Sequence, residues 1–147
     1  MPWVSPKDMG NPVVQRTEDH VTQEALSKTN LTVYRPGSVV VVFRSGVLRH
    51  TFPVATLDQP FTVNQDMKVL TTRDEVDDRF AFHLLRCMGP LILQRATKVG
   101  TTVESVDTTS FKSLPVGLPR QSEQRRIADV LDTVDAAIQE TDAVIAK

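Results

Sequence analysis

The residues best suited to chemistry in this 147-residue chain are cations and hydroxyls beside a short turn. Arg44, Ser45, Arg49 and His50 flank Gly46, directly after the apolar run Val39-Val40-Val41-Val42-Phe43. An arginine fork can pair with both acceptors of a guanine edge, and Asn or Gln can do the same for adenine. A buried strand would hold such side chains on a rigid base. Lys28, Asn30, Arg35 and Arg16 lie in the loops that precede it. Lys98, Thr101 and Thr102 surround Gly100, where hydroxyls and backbone N–H groups could hold phosphates. From composition alone, each of these residues reads more readily as solvated surface than as a nucleic-acid contact.

Other chemistries find less support. The chain lacks a Gly-rich dinucleotide loop, a phosphate-loop lysine motif and the Asn-Pro-Pro-aromatic stretch of an amino methyltransferase. Asp66-Met67-Lys68 with Asp58 upstream is half of a nuclease pattern, but such triplets are common by chance. His20, His50 and His83 are far apart in sequence, and the single cysteine, Cys87, excludes an internal disulfide. His83 reads as a structural residue of a helix, and Cys87 as a small core residue of the same helix. A formal net charge of −1 excludes affinity for nucleic acid based on bulk charge. No basic-then-apolar leader and no run of about 18 apolar residues is present, so the expectation is a soluble, cytoplasmic, metal-free domain.

The charge is unevenly distributed. Residues 1–73 carry 8 Lys/Arg against 6 Asp/Glu, whereas residues 120–147 carry 4 against 6. Any basic surface therefore belongs to the first half.

The elements that must position these groups begin as short strands. Pro36-Gly37 fits a type II turn feeding the Val39–Phe43 strand, because Pro fixes φ at the second position and Gly accepts positive φ at the third. A strand from about Phe52 to Leu57 follows, with weaker candidates at Phe61–Val63 and Met67–Leu70. Thr72 to Glu75 has capping-box spacing. Val76, Phe80, Leu84 and Met88 then recur every four residues, an amphipathic helix that Gly89-Pro90 should end. A second short helix is expected over residues 91–97. Residues 101–113, with seven hydroxyl side chains, read as loop, and residues 114–119 as an extended connector.

The last helix should start near Ser122 as N-cap. Ile127, Leu131, Val134, Ile138, Thr141 and Ile145 form a heptad seam, widened by Val130, Ala137 and Val144. Twenty-four residues make a rod of about 36 Å, too long for so small a domain to cover. Its Asp129, Asp132, Asp135, Glu140 and Asp142 read as a solvated or partner-facing surface.

The segment FKSLPVGLPRQSEQRRIADVLDTVDAAI resembles the boundary between a target recognition domain and a conserved spacer helix in specificity subunits of type I restriction-modification systems. Leu114-Pro115, Leu118-Pro119, Glu123-Gln124, Arg126-Ile127-Ala128 and Leu131-Asp132 carry the match. PWVSPKDM, RPGSVVVVFRSG and KVGTTVESVDTTSFKSLPV occur in the family's order, so the resemblance covers nearly the whole chain. Gly117, Arg120 and Ser122 stand where the family often has proline.

The resemblance implies an α+β fold. A small mixed β-sheet target recognition domain with two short helices (residues 1–119) would precede a long coiled-coil spacer helix (residues 120–147). It implies a non-catalytic subunit that reads one half of a bipartite duplex target and docks methyltransferase and restriction subunits. S-adenosylmethionine, ATP and magnesium would then belong to those partners. Arg44, Ser45, Arg49, His50, Lys28, Arg35, Lys98, Thr101 and Thr102 become the candidate DNA contacts. Ile127, Val130, Leu131, Val134, Ile138 and Ile145 become the candidate helix interface. One recognition domain and one helix, where a full subunit has two of each, imply a half-subunit that pairs with itself or a second chain. The alternative is a truncated piece that serves only protein interaction.

Overall fold

The structure is a computed structural model, and it describes residues 1–98 and 103–145. In chain order the elements are β1 (Pro2–Val4), β2 (Asp19–His20), α1 (Gln23–Lys28), β3 (Val39–Val42), β4 (Val54–Ala55), β5 (Thr62–Val63) and β6 (Met67–Leu70). Then come α2 (Asp78–Ala96), β7 (Thr97–Lys98), β8 (Ser105–Val106), α3 (Thr108–Lys112) and α4 (Gln121–Ile145). The fold is α+β.

β3 is the centre. It pairs antiparallel with β4 on one edge and β6 on the other, with Val40 opposite Ala55 and Val69. All four of its valines are buried, as the unbroken apolar run requires. Gly37 has φ 79°, and Ser38 N donates to Arg35 O at 3.3 Å, the turn read from Pro36-Gly37. The two weaker strand candidates are β5 and β6. A second sheet has the order β2-β1-β5, with β1 antiparallel to β2 and parallel to β5. One core joins both sheets to α2 through Val4, Phe61, Val39–Val42, Phe82 and Ile92.

Three expectations fail, each for a tertiary reason. α2 starts at Asp78 rather than at the Thr72 box. Its N-cap is Asp77, whose Oδ1 accepts from Arg79 N and Phe80 N at 3.0 and 3.2 Å. α2 also runs straight through Gly89-Pro90. A Gly and a Pro inside a helix cost about 4 kcal/mol relative to two alanines. Against this, the second half of α2 buries Ile92 and Ala96 completely or nearly so, at 0 % and 1 % exposure. Each large apolar side chain so buried returns about 1.5–3 kcal/mol, and the further turns add backbone hydrogen bonds. Gly89 is buried against Phe52, and the Pro90 ring is left exposed. The hydroxyl-rich stretch is not all loop. It contains β8, which pairs with β7, and α3, whose Phe111 packs edge-on to Phe43 at 5.2 Å.

Cys87 is exposed and not a core residue. Among the described residues, no helix is long and apolar enough to cross a membrane.

Candidate nucleic-acid interface

The turn after β3 is a framed platform. A 3-10 turn, Gly46–Arg49, is capped by Ser45, whose Oγ accepts from Val47 N. Arg44 N donates to Asp66 O at 3.1 Å, and Ser45 N donates to Glu104 O at 3.1 Å. Arg44 also bridges Ser105, and Ser105 pairs on its other side with Lys98. Arg44, Ser105 and Lys98 therefore form one cross-strand row, and opposed residues in such a row project from the same face. Arg44, Arg49, His50 and Lys98 are all exposed.

Their electrostatic states differ. Arg49 Nε donates to Glu104 Oε1 at 2.6 Å, and this guanidinium holds the Glu104 carboxyl below its ordinary range. Lys98 Nζ lies 2.9 Å from Asp107 Oδ2 and lowers that carboxyl in the same way. Arg44 makes no ion pair among the described residues.

The other sequence candidates lie elsewhere. Lys28 ends α1 and pairs with Glu24 of its own helix. Arg35 pairs with Asp78 at the start of α2. Thr101 and Thr102 lie outside the described residues. Glu104, which ties the platform together, was missed, because a lone acid in a hydroxyl-rich stretch carries no local signal.

α4 is held against α2 by polar groups. It begins at Gln121, one residue before the expected cap, so Ser122 lies within its first turn. Gln124 is 1 % exposed. It accepts from Asp77 N at 2.9 Å and donates to Glu75 O and Pro119 O at 3.1 and 2.9 Å. Arg79 meets Asp129 and Asp132 at 2.9 and 2.8 Å. His83 Nε2 is 2.7 Å from Asp132 Oδ1, and Arg86 pairs with Asp135. Asp132 and Asp135 are thus half-buried against cations of α2 and not fully solvated, whereas Asp129 pairs with Arg79 while staying exposed, and Glu140 and Asp142 are exposed as expected. A signal existed in the helical spacings, which put each set on one helix face: acids at 129, 132 and 135, bases at 79, 83 and 86. Beyond Asp135, no hydrogen bond or ion pair joins α4 to another element among the described residues.

This docking turns the apolar seam outward. Val130 is 63 % exposed, Val134 48 %, Ile138 53 % and Ile145 76 %, with Leu131 at 38 % and Ile127 half-buried.

The ladder should respond to acid. Burial pushes the Asp132 carboxyl up, but hydrogen bonds from His83 and Arg79 outweigh it and leave it below its ordinary value. A carboxyl lowered on folding contributes stability above the ordinary range near about 4, and loses it as pH falls through the folded value. The urea midpoint of the wild type should therefore exceed that of Asp132→Asn at pH 6, and the gap should narrow as pH falls below the ordinary carboxyl range near about 4. A gap independent of pH would show that the carboxylate's charge does not hold the joint.

The whole of this architecture has counterparts. Residues 1–146 match the family model described as the type I restriction modification DNA specificity domain. The chain is 35 % identical over 135 residues to the EcoR124I/EcoR124II specificity subunit of Escherichia coli, covering 92 % of this chain and 33 % of that protein. It is 24 % identical over 142 residues to the MjaIX specificity subunit of Methanocaldococcus jannaschii, covering 95 % and 32 %. The chain thus spans about a third of the length of these curated relatives. The fold matches the HsdS subunit from Thermoanaerobacter tengcongensis with a TM-score of 0.63 at 18 % identity, over 95 % of this chain and 32 % of that one. A chain solved in work on complex assembly and conformational transition of the type I R-M system matches with a TM-score of 0.66, again at 18 % identity, over 98 % and 34 %. With its whole described length inside that match, the chain belongs to the type I restriction-modification DNA specificity domain family.

Proposed function

We propose that the chain reads one half of a split duplex target for a type I restriction-modification complex. Residues 1–119 form the recognition domain, and residues 120–147 form the spacer helix. The observation that carries this reading is the two-faced α4: a polar face ties it to α2, and an apolar seam is left exposed, which supports docking by another chain. The partners of that seam are the methyltransferase and restriction subunits, and a second half-subunit of the same kind.

Recognition follows from the platform. Phosphate contacts position the domain, and side chains of the Gly46–Arg49 turn reach base edges in the major groove. Arg44, Ser45, Arg49 and His50 are the reading residues, with Lys98, Thr101 and Thr102 on the phosphates and Lys28 and Arg35 at the margin. The protein binds and positions, and does no bond chemistry itself. S-adenosylmethionine, ATP and magnesium are used by the partner subunits, and the assembly works in the cytoplasm.

Arg44→Ala and Arg49→Ala should each weaken binding to the target duplex by about 1–3 kcal/mol, measured by titration at fixed salt. Unchanged affinity in both variants would remove the turn as the reading element.

A further inference from the structure

Glu104 differs from the other carboxylates of the platform. Its side chain is only 7 % exposed, whereas that of its partner Arg49 is 58 % exposed. Glu104 Oε2 is also buried and has no hydrogen-bond partner among the described residues. A buried carboxylate stays anionic when a cation is fixed beside it, and Arg49 is that cation. The two residues share one frame. Ser45 N binds the Glu104 carbonyl, and Ser45 Oγ caps the 3-10 turn that ends in Arg49.

The atom used by Arg49 is informative. Its hydrogen bond to Glu104 goes through Nε. The guanidinium is a rigid planar fork, so a partner on Nε fixes the plane and leaves Nη1 and Nη2 pointing outward. Neither terminal nitrogen makes a hydrogen bond among the described residues. Two parallel outward donors match the paired acceptors O6 and N7 of guanine. Adenine offers N7 beside a donor, and cytosine offers a donor only.

We propose that Glu104 is a specificity-determining positioning residue: it anchors Arg49 through Nε so that the Nη1/Nη2 pair reads a guanine. This rests on the DNA-reading function above and assigns the base class to one side chain of that site. A carboxylate that merely cancelled the charge of Arg49 would have the opposite signature, because its removal would free a phosphate-binding cation.

The test uses the full chain assembled with its methyltransferase subunit and a random-sequence duplex library. Wild type, Glu104→Ala, Glu104→Gln and Arg49→Lys are each taken through selection, then titrated on the enriched duplex and on one with the guanine replaced. The wild-type motif should contain a fixed guanine. Arg49→Lys and Glu104→Ala should lose roughly tenfold or more of the discrimination at that position alone. Glu104→Gln, which keeps an acceptor for Nε, should lose less. A Glu104→Ala motif identical to wild type would overturn the proposal. So would tighter binding to every duplex with a steeper salt dependence. If Glu104→Ala does not melt cooperatively, Arg49→Lys decides alone, since its side chain is exposed: a retained guanine overturns the assignment. A wild type that enriches no motif defeats the DNA reading itself, whereas an enriched motif indifferent to all three variants defeats only this inference.

Discussion

Replacing Gln124 with leucine should destabilise the protein by about 2–4 kcal/mol and release α4 from α2. The size follows from the groups left behind. Gln124 satisfies Asp77 N–H, the Glu75 carbonyl and the Pro119 carbonyl at a site where it is 1 % exposed. Each buried polar group that loses its partner costs about 1–3 kcal/mol, less where water can enter. One of the three is special. Asp77 is the N-cap of α2, and its backbone N–H is the group that a Glu or Gln at the third helical position satisfies in a capping box. Phe80 occupies that position and cannot do so, so α4 supplies the missing acceptor from 47 residues away. Gln124→Glu keeps an acceptor for Asp77 N–H but loses both donors and turns a buried carboxylate toward two carbonyl oxygens, so it should be destabilised at least as much as the leucine variant. Urea unfolding gives the energies, and amide exchange along α4 reports its release. A Gln124→Leu protein with wild-type midpoint and wild-type protection of α4 would refute this view of the joint.

Val134→Asp combined with Ile138→Asp should leave the folded chain intact and abolish its assembly with partner subunits. Both side chains are about half exposed and neither belongs to the buried core, although Ile138 borders a cavity with Pro12, Val13 and Val14, so their replacement should shift the melting temperature little. In an assembled seam, each would contribute about 1.5–3 kcal/mol of burial. Losing both weakens association by roughly 100-fold or more at 1.4 kcal/mol per decade, before the cost of burying two carboxylates is added. Co-purification and sedimentation should show the difference directly. A double variant that melts early would mean that the seam packs on its own domain. One that assembles normally would mean that the partners dock elsewhere.

What the sequence revealed was local. The four valines of β3 and the Pro36-Gly37 turn are each decided by neighbours within a few residues. The outward seam of α4 was legible because 24 residues of one apolar face exceed what a small body can bury. What stayed hidden depended on distant partners. The continuity of α2 through Gly89-Pro90 rests on Ile92 and Ala96 reaching the core. The start of α2 is fixed by Asp77 together with Gln124, a pair that no local window contains. The acids of α4 read as solvent-facing because their cations lie about 50 residues earlier. The same limit applied to the turn after β3. Arg44 to His50 stood out as a cation cluster beside a buried strand, but the role of Glu104 needs the fold that places it under Arg49.

The central claim is that α4 fixes a reading domain in place and offers its apolar seam to another chain. The most direct measurement is co-expression of the chain with a type I methyltransferase subunit, followed by sequencing of methylated sites in the host DNA. The account predicts a stable complex and a bipartite methylated motif that disappears with Val134→Asp/Ile138→Asp and changes at defined positions with Arg44→Ala or Arg49→Ala. A well-folded chain that forms no complex, or methylation whose motif is indifferent to all of these substitutions, would contradict it.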